Sequence, residues 1–213
     1  MNSVDVAIEN FYKAFSDVPV PTSIEGCPHC IDDKNIEQLL QSDLRSLSPD
    51  DLSSYASSAF LTVGDVGDYL YFLPRILEIS ITDRCWWPDI EVTGRALGVT
   101  DVPKWGADKQ RALIELFTSV LRRFIERGEY DYIDDWMCAI ARSGLDVRPF
   151  LRIIEENSAA LVHYVGVNAE SLQKSKLANH FWETSDKGQD EIIEWLRSET
   201  VHRICSKASS PAP

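Results

Sequence analysis

The sequence predicts an all-α fold, an irregular α-solenoid-like (HEAT-like) stack of antiparallel helical hairpins. Apolar residues recur at three- and four-residue spacing along most of the chain, which is the period of a helix with one buried face. No sustained two-residue alternation and no Asn-Gly turn indicates a β-hairpin. The links between predicted helices are short and therefore favour antiparallel neighbours. No clean internal repeat is present, so a regular repeat array is not predicted.

The clearest helical pattern covers two segments. In the first, Leu70, Leu73 and Leu77 share one face, and Pro74 inside it predicts a kink because proline removes a backbone hydrogen bond. In the second, between residues 105 and 127, apolar residues mark one face over about five turns. The predicted helices are 3–16, 33–42, 49–62, 65–81, 88–97, 105–127, 130–142, 147–157, 159–168, 171–183 and 187–206.

Local signals mark several helix ends. Ser48 is predicted as an N-cap, Pro49 fits the first helical position, and Asp51 suits the positive end of the helix dipole. Four glycines follow apolar segments, where a left-handed residue often ends a helix. They are Gly64, Gly98, Gly128 and Gly144.

Length and composition predict one domain over residues 1–206, followed by a disordered tail at 207–213. The chain has 213 residues, a normal apolar share of 44% and a net charge of −13. Its acids are concentrated between residues 25 and 68. That charge disfavours nucleic acid binding, which needs Lys and Arg at phosphates, and is compatible with a basic protein partner. An acidic surface that only aids solubility is the alternative.

The first residues and the cysteines bear on localisation. The N-terminal segment lacks the basic and apolar regions of a signal peptide, and no apolar run reaches the roughly 18 residues that a bilayer requires. The five cysteines are an odd, scattered set, which is typical of reduced thiols. A cytoplasmic protein without a membrane partner is therefore expected.

The motif Cys27-Pro28-His29-Cys30 has three interpretations. Cys27, His29 and Cys30 are candidate ligands of a structural zinc, although no second Cys or His pair completes four ligands. The two thiols also suggest redox chemistry, but no strand precedes them and neighbouring acids would raise the thiol pKa. The third interpretation is a turn whose thiols pack as small apolar groups. No resident cofactor is predicted beyond this possible zinc.

Two acidic segments are candidate surfaces for a protein partner. In the segment 129–136, acids alternate with aromatics, and both are frequent at interfaces. The acids of this segment are expected to point outward, with Ile133 and Trp136 toward the core; a solvated helix face is the alternative. The start of the helix near residue 65 is the second candidate. The predicted partner-binding residues are Tyr130, Asp131, Tyr132, Asp134, Asp135, Asp65 and Asp68.

Catalytic motifs are not evident in the sequence. It contains no H-E-x-x-H, no G-x-S-x-G, no P-loop and no dinucleotide-binding glycine run. With 34 carboxyl groups, the choice of a catalytic pair would be arbitrary. An enzyme is therefore not predicted.

Three sequence features together carry a resemblance to known proteins. They are Cys27-Pro28-His29-Cys30, then Leu52-x-x-Tyr55, and then the segment Tyr-Phe-Leu-Pro-Arg-Ile-Leu-Glu at 71–78. In residues 25–80 the chain resembles uncharacterised bacterial helical proteins that include immunity partners of interbacterial toxins of the polymorphic and Rhs types. The resemblance implies binding to a toxin domain and supplies no active site.

The resulting hypothesis is an immunity protein that neutralises a cognate bacterial toxin by direct binding. The partner is expected to be basic, as a nuclease toxin with a basic substrate cleft would be. Two alternatives remain: a structural-zinc or thiol-redox protein centred on Cys27 and Cys30, and a helical-repeat scaffold or adaptor.

Overall fold

The computed structural model describes residues 3–182 and 187–208, and within them the chain is all helical. Two short 3-10 helices, Leu44–Ser46 and Val102–Lys104, join longer elements, and the only extended pairing described is isolated bridging around Val63. The α-helices are α1 (Ser3–Ala14), α2 (Asp33–Gln41), α3 (Pro49–Ser58), α4 (Val66–Thr82), α5 (Ile90–Val99), α6 (Ala107–Arg127), α7 (Tyr132–Arg142), α8 (Arg148–Glu155), α9 (Ser158–Leu172), α10 (Lys187–Leu196) and α11 (Glu199–Ala208).

The C-terminal quarter differs most from the predicted helices. The chain at 171–183 was expected to be a helix, but α9 runs to Leu172 and Ser175 takes a left-handed φ of 53°, which ends the helix. The predicted helix 187–206 is two helices, α10 and α11. Helix α11 reaches Ala208, two residues into the predicted tail, and residues 209–213 lie outside the described residues.

One hydrophobic core lies at the centre of the fold, and its main helix pairs are distant in sequence. Helix α1 packs against α6 and runs antiparallel to it. Two contacts show this direction, because each joins a residue just after the end of α1 to a residue near the start of α6. The Phe15 ring meets Trp105 edge-on at 5.3 Å, and Lys109 Nζ bonds Asp17 Oδ2 at 2.8 Å. Pro74 is buried within α4, which is helical on both sides of it. The kink and the solenoid-like stacking stay predictions.

Helices α5 and α7 make the other main pair, and they run parallel. A Cβ on Gly94 would lie 2.5 Å from Ala139 Cα, so the two backbones are in direct contact. Gly98 meets the Arg142 carbonyl in the same way. Gly98 was expected to end a helix, but it lies inside α5. Because it has no side chain, the backbone of α7 can approach α5 closely at this point. The parallel pairing brings both helix N-termini to one end of the molecule.

The described helices include no candidate for a membrane-spanning segment. None of them combines enough length with enough apolar character to pass through a bilayer.

Candidate functional site

A cleft of about 240 Å³ opens where α5 and α7 begin, and we call it the acidic cleft. Its floor is the carboxyl pair Glu91 and Asp135, and its walls are largely aromatic. The wall side chains come from the α4–α5 connection, from α6 and α7, and from the segment 177–182. The residues that line it are Ser80, Ile81, Asp83, Arg84, Trp86, Pro88, Asp89, Ile90, Glu91, Phe124, Tyr132, Asp135, Trp136, His180 and Phe181.

The floor is a pair of carboxyl groups joined by an amide. Glu91 is 3% exposed and Asp135 is half-buried. Asn179 Nδ2 donates to Glu91 Oε1 at 2.7 Å and to Asp135 Oδ1 at 3.0 Å. The two carboxyl groups also interact with each other, and this interaction contributes to the raised pKa of Glu91.

Burial dominates the electrostatics of this pair. It raises the pKa of Glu91 to about 7, and the charge of Asp135 adds to the rise. Burial also raises the pKa of Asp135. Among the described residues, no Lys or Arg forms a salt bridge with either group. The described part of the chain therefore leaves the two acids of the floor without a salt bridge to Lys or Arg, and this arrangement costs stability when both groups are charged.

Two asparagines hold the wall formed by the segment 177–182. Asn168, fully buried on α9, accepts from the Ala178 backbone N–H at 2.8 Å. Asn179 Oδ1 accepts from the Phe181 N–H at 2.9 Å. These bonds replace the helical bonds that the segment lacks, and they place His180 and Phe181 beside the floor, ring against ring at 4.6 Å.

The opposite wall is formed by the connection between α4 and α5. Trp86 Nε1 donates to the Pro49 carbonyl at 3.0 Å, which fixes the indole. Beside it Trp87 is 58% exposed. The sequence predicted a helix that starts at Pro88, but α5 begins at Ile90, with Asp89 at its N-cap.

The rim carries one guanidinium, which is already paired. Arg84 lies over the Tyr132 ring at 4.8 Å and forms an ion pair with Glu129 at 2.5 Å. Tyr132, predicted to contact a partner, thus lines the cleft and helps to hold Arg84.

Asp134 corrects the prediction that the acids of this segment point outward. It is 7% exposed, and Asn168 Nδ2 lies 3.4 Å from its Oδ1. Burial raises the pKa of Asp134 to about 6. Asp134 is therefore a structural residue under the segment 177–182, because α7 packs on three sides and leaves this face no solvent.

The remaining predicted residues of this segment lie outside the cleft. Asp131 is exposed and contacts His163 at 2.9 Å, whose ring is 5.8 Å from that of Tyr130. Tyr130 is half-buried. Only Tyr132 and Asp135 of the five predicted residues reach the cleft.

Asp65 and Asp68 act at the start of α4. Asp65 accepts from the Gly67 and Asp68 backbone N–H groups, and Asp68 accepts from the Asp65 N–H, which is a capping box. Asp68 is 6% exposed and accepts from the buried Tyr55 hydroxyl at 2.6 Å. The carboxyl group of Asp68 is thus used inside the fold, and a contact between Asp68 and a partner stays a prediction.

The Cys27–Cys30 motif forms a turn. The Cys27 carbonyl accepts from the N–H groups of Cys30 and Ile31, and the nearest polar contact of Cys27 Sγ is His29 Nδ1 at 3.8 Å. Both cysteines are free and half-buried. In the described part of the chain, no three metal-binding side chains converge. The turn geometry is compatible with the third interpretation, and a zinc held by Cys27, His29 and Cys30 stays a prediction.

Sequence reasoning missed Glu91, Asn179 and His180. A single carboxylate on an amphipathic helix carries no local signal, and its partners lie 44 and 88 residues away in the chain. One signal was present: Gly94 and Gly98 are four residues apart on a helix, a spacing that favours close helix contact. This spacing predicts that another helix packs closely against α5, but it does not identify that helix as α7.

Comparison with known proteins returned nothing: no family model, no curated protein and no solved structure matches this chain.

Proposed function

We propose that this chain is a cytoplasmic immunity protein that neutralises a cognate bacterial toxin domain by direct protein–protein binding. The observation that carries the proposal is the acidic cleft, whose carboxyl floor and aromatic walls provide the chemistry of an interface hot spot. The proposal assigns no reaction to the chain, and the binding surface itself accounts for the activity.

The charge and the exposed aromatics support a basic partner. The net charge of −13 attracts a cationic surface over a distance and speeds encounter. Trp87, 58% exposed beside the cleft, is an aromatic side chain of the type that anchors interfaces. We place Tyr132 and Asp135 at the centre of the contact, with Tyr130 and Asp131 farther out on the same helix end.

The irregular solenoid-like arrangement belongs to the same proposal. Parallel α5 and α7 present their N-termini together, so one end of the stack forms the contact surface. A scaffold that binds an unrelated partner would use the same end. Neutralisation of a toxic activity separates the two functions.

Co-expression tests the proposal directly. Each protein encoded by a gene adjacent to that of this chain is expressed in a sensitive bacterial host, and any that is toxic is then expressed with and without this chain. We expect growth only when the chain is present, and a one-to-one complex on size-exclusion chromatography. Persistent toxicity despite soluble chain, with no complex, would refute the proposal.

A further inference from the structure

We infer that the acidic cleft receives one Lys or Arg side chain from a basic segment of a protein partner. The aliphatic stem lies between the aromatic walls, and the charged end contacts Asp135 with Glu91 directly behind it. This inference rests on the proposed function and identifies the chemistry that the partner contributes.

The dimensions and walls of the cleft fit such a side chain. A volume of about 240 Å³ holds one long side chain and no folded segment. Lys and Arg carry apolar stems that pack on aromatic rings, and their charged ends interact favourably with ring faces. Trp86, Trp136 and Phe181 are among the apolar residues that line the cleft.

The charge of the floor is complementary to a cation. Glu91 and Asp135 have an amide and each other as partners, and neither is paired with a described Lys or Arg. Arg84, the one guanidinium among the described residues that line the cleft, is engaged by Glu129 and Tyr132 on the rim. An incoming cation would thus relieve the repulsion between the two carboxyl groups, which contributes to the raised pKa of Glu91.

A cation in the cleft should favour the charged form of Glu91, so binding should depend on pH. The charged form of the pair attracts the cation, and the protonated form attracts it less. We therefore expect tighter binding at pH 8 than at pH 5.5. His180 lines the same cleft, so a His180→Gln variant must retain the difference if the carboxyl pair is its source. The other titratable or charged groups that line the cleft are Asp83, Asp89, Arg84 and Tyr132.

Short peptides test the recognition without the toxin. Acetylated and amidated Gly-Lys-Gly and Gly-Arg-Gly are titrated against the full chain, with Nε-acetyl-lysine and citrulline peptides as neutral counterparts. Binding is followed by NMR through the indole resonances of Trp86 and Trp136. We expect each cationic peptide to bind at least about tenfold more tightly than its neutral counterpart. Equal binding by cationic and neutral peptides would overturn the inference.

Matched variants locate the binding. Glu91→Gln and Asp135→Asn keep the side-chain shapes and should each weaken cationic peptide binding about tenfold. Asp108→Asn is the control, since Asp108 lies 16 residues before Phe124 on α6, about 24 Å along the helix. Thermal unfolding confirms that each variant is folded. Wild-type affinity in both cleft variants would overturn the inference.

The same variants separate this inference from the proposed function. If cationic peptides bind at the cleft but the chain protects against no toxin, the proposed function fails and the inference stands. If the toxin is neutralised equally by wild type, Glu91→Gln and Asp135→Asn, the inference fails and the proposed function stands.

Discussion

Glu91 is a side chain whose ionisation opposes the stability of its own fold. Its pKa is about 7 in the folded chain and near 4.5 in the unfolded chain, because burial disfavours the charged form. Between those two values the folded chain binds more protons than the unfolded chain. The free energy of unfolding therefore falls as the pH rises from about 4.5 to about 7.

Glu91→Gln should remove most of this pH dependence. Glutamine has the same shape and cannot ionise, so we expect the variant to exceed wild type by about 1–3 kcal/mol at pH 8. At pH 5, where Glu91 is protonated, the two should be nearly equal. Urea unfolding at both pH values measures the difference. An unchanged pH slope in the variant would show that Glu91 does not carry the raised pKa.

Asp68 shows the opposite case, a buried acid that stabilises the fold through its oxygen. Asp68→Ala should lower the free energy of unfolding by about 2–3 kcal/mol, because it leaves the buried Tyr55 hydroxyl and the Asp65 N–H without an acceptor. Asp68→Asn retains an oxygen acceptor and is the matched control. Chemical denaturation of both variants should rank Ala well below Asn, and equal losses would contradict the assigned hydrogen bonds.

At the scale of elements, the contact between α5 and α7 depends on missing side chains. Gly94 and Gly98 let the backbone of α7 approach α5, and this approach brings Glu91 and Asp135 together. The cleft is thus a product of helix packing. Its geometry should be sensitive to substitutions far from its own lining.

Gly94→Ala tests the close approach. The new Cβ would lie 2.5 Å from Ala139 Cα, so the helices must separate, and we expect a loss of about 1–3 kcal/mol in stability. Gly166→Ala in α9 is the control, because nothing lies within 4 Å of its Cβ position. That change should add about 0.5–1 kcal/mol through helix propensity. Thermal melts of both variants should move in opposite directions; a shared direction would contradict the packing.

Local sequence signals predicted the elements that begin with local chemistry. Ser48, Pro49 and Asp51 form the expected capped start of α3. Gly128 takes the expected left-handed conformation, with φ of 69°, at the end of α6. Such features are decided by neighbours within four residues, so a sequence pattern is sufficient to find them.

Features decided by distant residues escaped prediction. Asp134 lies toward Asn168, 34 residues later, and this contact buries a carboxyl that an amphipathic pattern places outside. The segment 177–182 was predicted to be helical, but the side-chain amide of Asn168, ten residues before Ala178, holds it in a different conformation. Hydrogen bonds between residues far apart in the chain produce no periodic pattern in the sequence. The candidate site was therefore predicted only through Tyr132 and Asp135.

The whole molecule carries a net charge of −13, which repels itself in the compact state. Screening should relieve this repulsion. We expect raising KCl from about 20 mM to about 300 mM at pH 8 to increase the melting temperature by about 2–5 °C. Sorbitol at equal osmolality is the control for general solute effects. No increase with KCl would show that the acids are already spaced too widely to interact.

The glycine contact between α5 and α7 also has an evolutionary consequence. Positions 94 and 98 can accept few residues, since each faces the backbone of α7. The exposed acids have no such limit. We expect chains of common descent to diverge in surface charge, and so in the partner they fit, while these two positions stay small. A lineage could then change its specificity without rebuilding the helix pair that holds the site.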